Sequence, residues 1–140
     1  MKRYIPLIII LFIGTYLRLT QLTSIPPSLS HDEVAIAYNA YSILKTGKDE
    51  YGKPFPILFR SFDDYKLPGM IYATVPAIAL FGRTEWAARA PSALFGIFAI
   101  IVMYGIAREL LGAKNVLKLG KYSIDASLLP TIMLAIQPWH

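Results

Sequence analysis

Twenty-one residues from Ala87 to Ala107, AARAPSALFGIFAIIVMYGIA, carry one charge, Arg89. As a helix this run is about 32 Å long, enough to cross a hydrocarbon core about 30 Å thick. A second apolar block, Tyr4–Leu22, is uncharged through Leu17, with Arg18 near its far end, where a long side chain can snorkel. It follows Lys2 and Arg3 and lacks an A-x-A-like site, so it reads as an uncleaved signal anchor rather than a signal peptide. A third block, Ala126–His140, reaches only fifteen residues, the start of a third span. The expected class is therefore an all-α, polytopic membrane protein.

Met70–Phe81 is apolar too, but twelve residues around Pro76 are too few to cross; that length suits an interfacial segment. Orientation then follows from the basic residues. Arg108, Lys114, Lys118 and Lys121 crowd the 108–125 loop, and the positive-inside rule places that loop and the N-terminus in the cytoplasm. The predicted order is a first span over 4–22, an external segment over 23–85 with interfacial helices at 32–45 and 70–81, and a second span over 87–107. A cytoplasmic loop over 108–125 and a third span from 126 follow, in a multi-pass protein of the cell membrane.

The net charge of +5 is thus accounted for by topology, and no basic stripe or binding motif supports a nucleic-acid partner. A chain 55% hydrophobic and 16% charged is not disordered, and without cysteine it has neither disulfides nor thiolate chemistry. No Gly-rich phosphate loop, HExxH, nucleophile elbow or internal repeat is present.

A segment of about sixty residues between spans is far longer than a connection needs, and long loops are often functional. Within it, Ser30 and Glu33 fit a capping box that opens a helix over roughly 32–45, closed by Lys45 and Gly47. Glu33 is explained by that cap, whereas Asp32 leaves two readings open. It complements the helix dipole, or it serves as a general base or metal ligand beside the membrane. Gly52, Pro54 and Pro56 mark turns, and Asp49-Glu50 and Asp63-Asp64 read as solvated acidic pairs. Lys66, just ahead of Leu67-Pro68-Gly69, either snorkels or meets a lipid phosphate, and Arg89 poses the same choice with a guanidinium fork. Tyr38, Tyr41, Tyr65 and Tyr72 suit an interfacial aromatic belt or a sugar-stacking surface.

The order of these features resembles the N-terminal part of membrane glycosyltransferases of the GT-C fold. These are the relatives of protein O-mannosyltransferases and lipid A aminoarabinose transferases. The strings are PPSLSHDEVAIAYNAYSILKTGKD, YKLPGMIY, ALFG, RAPSALFG, Y-x-x-A-R-E-L-x-G and Pro-Trp-His. The resemblance implies inverting transfer from a polyprenyl-phosphate sugar to a protein or glycolipid acceptor at the outer face. It makes Asp32 the candidate catalytic base or metal-binding carboxylate and Glu33 the second acidic position. Lys66 and Arg89 become candidate ligands of the donor phosphate, with a divalent metal open as cofactor. Leu67-Pro68 departs from the family's usual Pro-Pro. Such enzymes have more spans, so the expectation is a chain inactive alone: a fragment, a split gene product that a second chain would complete, or a relic. The alternative is a non-catalytic membrane subunit or transporter fragment whose external loop binds a partner.

Overall fold

The computed structural model describes residues 4–112, 116–119 and 122–137. Lys2, Arg3, Lys114, Lys121, the Lys118 side chain and the Pro138-Trp139-His140 string lie outside the described residues. The chain divides into two compact units, one of Gln21–Ser92 and one of the segments that flank it.

In the flanking unit, α1 spans Ile5–Leu19, with Pro6 in its first turn, where a missing N–H costs nothing. Its fifteen residues make about 22 Å, shorter than the expected 4–22 span, because the backbone turns extended at Thr20. The long helix α4, Glu85–Leu111, starts ahead of the expected 87–107 and runs past it. Among the described residues it is the one helix long and apolar enough to cross a membrane, with a mean hydropathy of 2.0 over an 18-residue stretch. Leu94, Phe95, Phe98 and Ile101 on it are exposed, as lipid-facing side chains would be.

The basic 108–125 loop contains regular structure that the sequence reading did not anticipate. β3 (Val116–Leu119) pairs antiparallel with β4 (Tyr122–Asp125), Leu117 opposite Ile124. Their β-branched and apolar residues favour a pleated surface over open loop. α5, Leu128–Ile136, then packs on α1 around Ile10, Ile100, Tyr104, Leu128 and Ala135.

Arg18 does not snorkel. It is 3% exposed, and its guanidinium donates to the carbonyls of Ala135 (2.8 Å), Leu134 (3.0 Å) and Gly14 (3.3 Å). The last carbonyls of a helix lack partners and carry the negative end of its dipole, so the end of α5 draws the cation inward. Gly96 makes room: a Cβ there would sit 2.8 Å from Arg18 Nε. Three carbonyls pin that side chain, so it cannot yield cheaply. Gly96→Ala is expected to cost about 1–3 kcal/mol, read as a lower unfolding temperature in detergent. A Cβ at Gly105 would face open space, so Gly105→Ala serves as the control, with stability unchanged or raised by about 1 kcal/mol through helix propensity.

In the Gln21–Ser92 unit, α2 (His31–Thr46) packs against α3 (Pro68–Phe81) over a core of Ala40, Ile43, Phe59, Ile71, Ile78 and Ala87. Both bonds of the capping box form, and Gly47 closes α2 in the left-handed conformation at φ 69°. Tyr72 belongs to this packing rather than to an aromatic belt, with its ring edge-on to Phe59 and its hydroxyl donating to Pro56 O.

The turn-rich stretch is also more ordered than its prolines and glycines suggest. Asp49 is buried and accepts the backbone N–H groups of Tyr51 and Lys53, while Glu50 meets the buried Asn39 of α2. β1 (Phe59–Ser61) and β2 (Asp64–Lys66) form a hairpin, with Phe59 opposite Lys66.

Candidate functional site

The site lies where the β1–β2 hairpin meets the first turn of α2. Phe59 is fully buried in the core and Ser61 nearly so, which fixes one strand and thereby the register of the other. The two residues of the turn, Phe62 and Asp63, both have positive φ (50° and 57°). That geometry matches the twist of a tight hairpin but costs a residue with a Cβ roughly 1–2 kcal/mol. Arg60 spans the turn to Asp63 at 2.6 Å, and the Phe62 ring stands edge-on to His31, 5.4 Å between centroids. The hairpin is therefore tied down at its root by Phe59 and at its tip by His31.

This placement carries Lys66 to Asp32, thirty-four residues away. The ammonium donates to Asp32 Oδ1 at 2.6 Å and to Asp64 Oδ2 at 2.6 Å. The Lys66 side chain is 19% exposed, while the two carboxylates stand largely in solvent. The hydrogen bond to Asp32, then the one to Asp64, holds the Lys66 ammonium above its ordinary pKa. Lys66 and then the Tyr65 N–H hold Asp64 below the usual carboxylate range. One cation between two carboxylates leaves a net negative charge and an ammonium with one N–H beyond the two given to the carboxylates.

Glu33 and Arg89 form a separate constellation. All five guanidinium N–H groups of Arg89 are used. Nε donates to Glu33 Oε1 (2.8 Å), Nη1 to the carbonyls of Leu22 (2.9 Å) and Pro26 (3.0 Å), and Nη2 to Ser28 O (2.8 Å) and Glu33 Oε2 (3.3 Å). Arg89 is 5% exposed, so it ties the proline-rich turn to the start of α2 from inside the unit. Burial pushes the Glu33 carboxyl up, but hydrogen bonds from Arg89 and Ser30 and the Arg89 charge outweigh it and hold it below its ordinary value.

Of the four residues singled out from the sequence, the structure therefore brings Asp32 to Lys66 and Glu33 to Arg89, in two pairs. Asp64 is the member of the cluster that sequence reasoning set aside as a solvated charge. The signal was its i, i+2 spacing from Lys66, which puts both on one face of a strand. Reading it required knowing that a strand was there. Among the described residues no group of three or more His, Cys, Asp or Glu side chains is gathered to hold a metal ion.

Residues 67–135 match the family model of dolichyl-phosphate-mannose-protein mannosyltransferases. The match covers 69 of 140 residues, just under half of the chain, and supports the resemblance to GT-C mannosyltransferases. It contains Arg89 and the whole of α3 and α4, and it begins one residue after Lys66. That family consists of membrane glycosyltransferases. Neither the curated proteins nor the solved structures gave a match to this chain.

Proposed function

We propose that this chain carries the donor-side external segment of a membrane glycosyltransferase, which moves a sugar from a polyprenyl-phosphate carrier to a protein or glycolipid acceptor at the outer face. The observation that carries this reading is the Lys66 ammonium shared by Asp32 and Asp64 directly ahead of the family-matched stretch. In this reading the N-terminus and the 108–125 segment are cytoplasmic, α1, α4 and α5 are membrane elements, and α2, α3 and the hairpin lie at the outer surface.

Two oppositely charged groups in contact suit a transfer in which one must be released when the other is used. The donor phosphate is a diester with one negative charge, which competes with Asp32 for Lys66, and a second negative charge develops on it as it leaves as the polyprenyl phosphate monoester. As it takes the ammonium, Asp32 loses its counter-ion and is free to accept a proton. The acceptor hydroxyl gives its proton to Asp32 while its oxygen attacks the anomeric carbon from the face opposite the phosphate. The bond from that carbon to the phosphate oxygen breaks, and the electron pair leaves with the polyprenyl phosphate, whose charge Lys66 offsets. Asp64 keeps Lys66 on the hairpin throughout.

Arg89 acts at one remove, through Glu33 and the 22–28 turn that set the first turn of α2. A phosphate at Arg89 would have to replace a carbonyl already bound there, so the direct contact falls to Lys66. A divalent metal at Asp32 and Asp64 does not fit this arrangement, because the Lys66 ammonium occupies the place between them.

The purified chain in detergent is expected to bind a polyprenyl-phosphate sugar saturably, with Lys66→Gln weakening that binding about tenfold or more, the scale of a charge-assisted bond to phosphate. Calorimetric or fluorescence titration reads the difference. Absence of saturable binding, or an unchanged Lys66→Gln variant, removes Lys66 from the donor site and favours a partner-binding loop.

A further inference from the structure

A second feature of the Gln21–Ser92 unit is used neither by the cluster at Lys66 nor by the clamp at Arg89. Between α2 and the end of α3 lies a cavity of about 220 Å³, walled chiefly by Leu29, Val34, Ala37, Tyr38 and Ile78. It is smaller than the roughly 300–1,000 Å³ of pockets that take drug-sized ligands, and it suits a single hydrocarbon chain. At its rim stands Tyr41, whose ring carries the Arg83 guanidinium 4.9 Å from its centroid and the Lys45 ammonium 6.0 Å from it. The two charges cannot be further apart than the sum of those distances. Neither cation has a hydrogen bond or ion pair among the described residues, although Glu85 also lines the cavity.

An apolar slot beneath two uncommitted cations is complementary to an amphiphile with a long chain and an anionic head. Arg83 stands two residues ahead of α4, the helix able to cross a membrane, so the rim lies at the level where that helix would meet lipid headgroups. The anionic amphiphile present there in greatest excess is a phospholipid. A guanidinium stacked on an aromatic ring keeps its N–H edge free for phosphate oxygens.

We propose that this slot is a binding site for an anionic glycerophospholipid. One acyl chain lies along α2 between Val34 and Ile78, and the phosphate rests on Arg83 and Lys45. The occupied site fixes the start of α4 at the headgroup level. It is a lipid site distinct from the place given to the donor phosphate at Lys66, and it does not require that the protein transfer sugar.

Native mass spectrometry of the full chain in detergent, with phosphatidylglycerol and phosphatidylcholine offered together, tests this. Phosphatidylglycerol is expected to be retained about tenfold or more in preference, since each basic group near a membrane surface contributes attraction of the size that two such groups convert to that ratio. The double variant Lys45→Gln, Arg83→Gln should lose the preference, while Lys48→Gln and Lys53→Gln should keep it. Ala37→Phe, which fills the slot, should lower retention of both lipids, with circular dichroism reporting intact helices. Equal retention of the two lipids by the unaltered chain, or a preference unchanged in the double variant, overturns the proposal. So does a stronger preference for polyprenyl phosphate over phosphatidylglycerol that the double variant abolishes, since the slot would then belong to the donor.

Discussion

Replacing Arg89 by alanine is expected to lower the stability of the Gln21–Ser92 unit by about 3–5 kcal/mol, the cost of removing one partner from a buried ion pair. The loss is large because the guanidinium holds five acceptors at once. Without it the carbonyls of Leu22, Pro26 and Ser28 lose a donor, and the Glu33 carboxylate keeps only its bond from Ser30. Arg89→Lys should recover little, since an ammonium has three donors and no planar fork to reach acceptors on both sides. Thermal unfolding in detergent, followed by circular dichroism, measures both variants against the unaltered chain.

The same clamp sets a pH dependence. The Glu33 carboxyl is held below its ordinary value of 4.5 when folded, so its contribution is fully present above about pH 4.5. It is lost as the pH falls through the lower, folded value. Acid sensitivity in that range should be smaller in Arg89→Ala, which has already lost the interaction. An unfolding temperature within a degree of the unaltered chain would show that the five bonds do not hold the turn.

What could be read from the sequence was what depends on neighbours along the chain. Ser30, Glu33 and Gly47 announce the start and stop of α2 by capping chemistry alone, and the helix runs between them. The apolar run around 87–107 gives α4 by its length, and Pro68 opens α3 as a first-turn proline should. Asp32 and Lys66 were each legible as candidates from charge beside apolar segments, but their meeting was not.

What escaped the sequence depends on distant contacts. The hairpin at 59–66 has no Asn-Gly turn signal; Phe62 and Asp63 are held left-handed because Phe59 is locked in the core and Arg60 bridges to Asp63. Arg18 read as an interfacial cation because an isolated helix offers it only water at its end. Two of its three acceptors lie at the end of α5, more than a hundred residues further along. Asp49 and Glu50 read as solvated because the buried Asn39 and the backbone of the 49–53 turn are not signalled by spacing. In each case the outcome was set by an unpaired backbone group or a filled core position elsewhere in the fold.

The second large effect concerns Asp32. Asn in its place keeps the shape and removes both the proton acceptor and the charge that holds Lys66. Loss of a positioned base is expected to slow transfer by about 10²–10⁴-fold. Folding should be little affected, because the side chain of Asp32 is 70% exposed and takes no part in the capping box formed by Ser30 and Glu33. Donor binding should stay within about threefold of the unaltered protein, since Lys66 remains in place and loses a competitor for the phosphate. A slow step with intact binding separates a catalytic carboxylate from one that only orders the hairpin.

The decisive measurement is the rate of sugar transfer from a radiolabelled polyprenyl-phosphate donor in membranes of the cells that encode this protein, with Asp32→Asn introduced in the chromosomal copy. The expected rate is at least about 100-fold lower, at equal protein level and near-equal donor binding. Transfer at the unaltered rate, with the substituted protein present in the membrane, contradicts it.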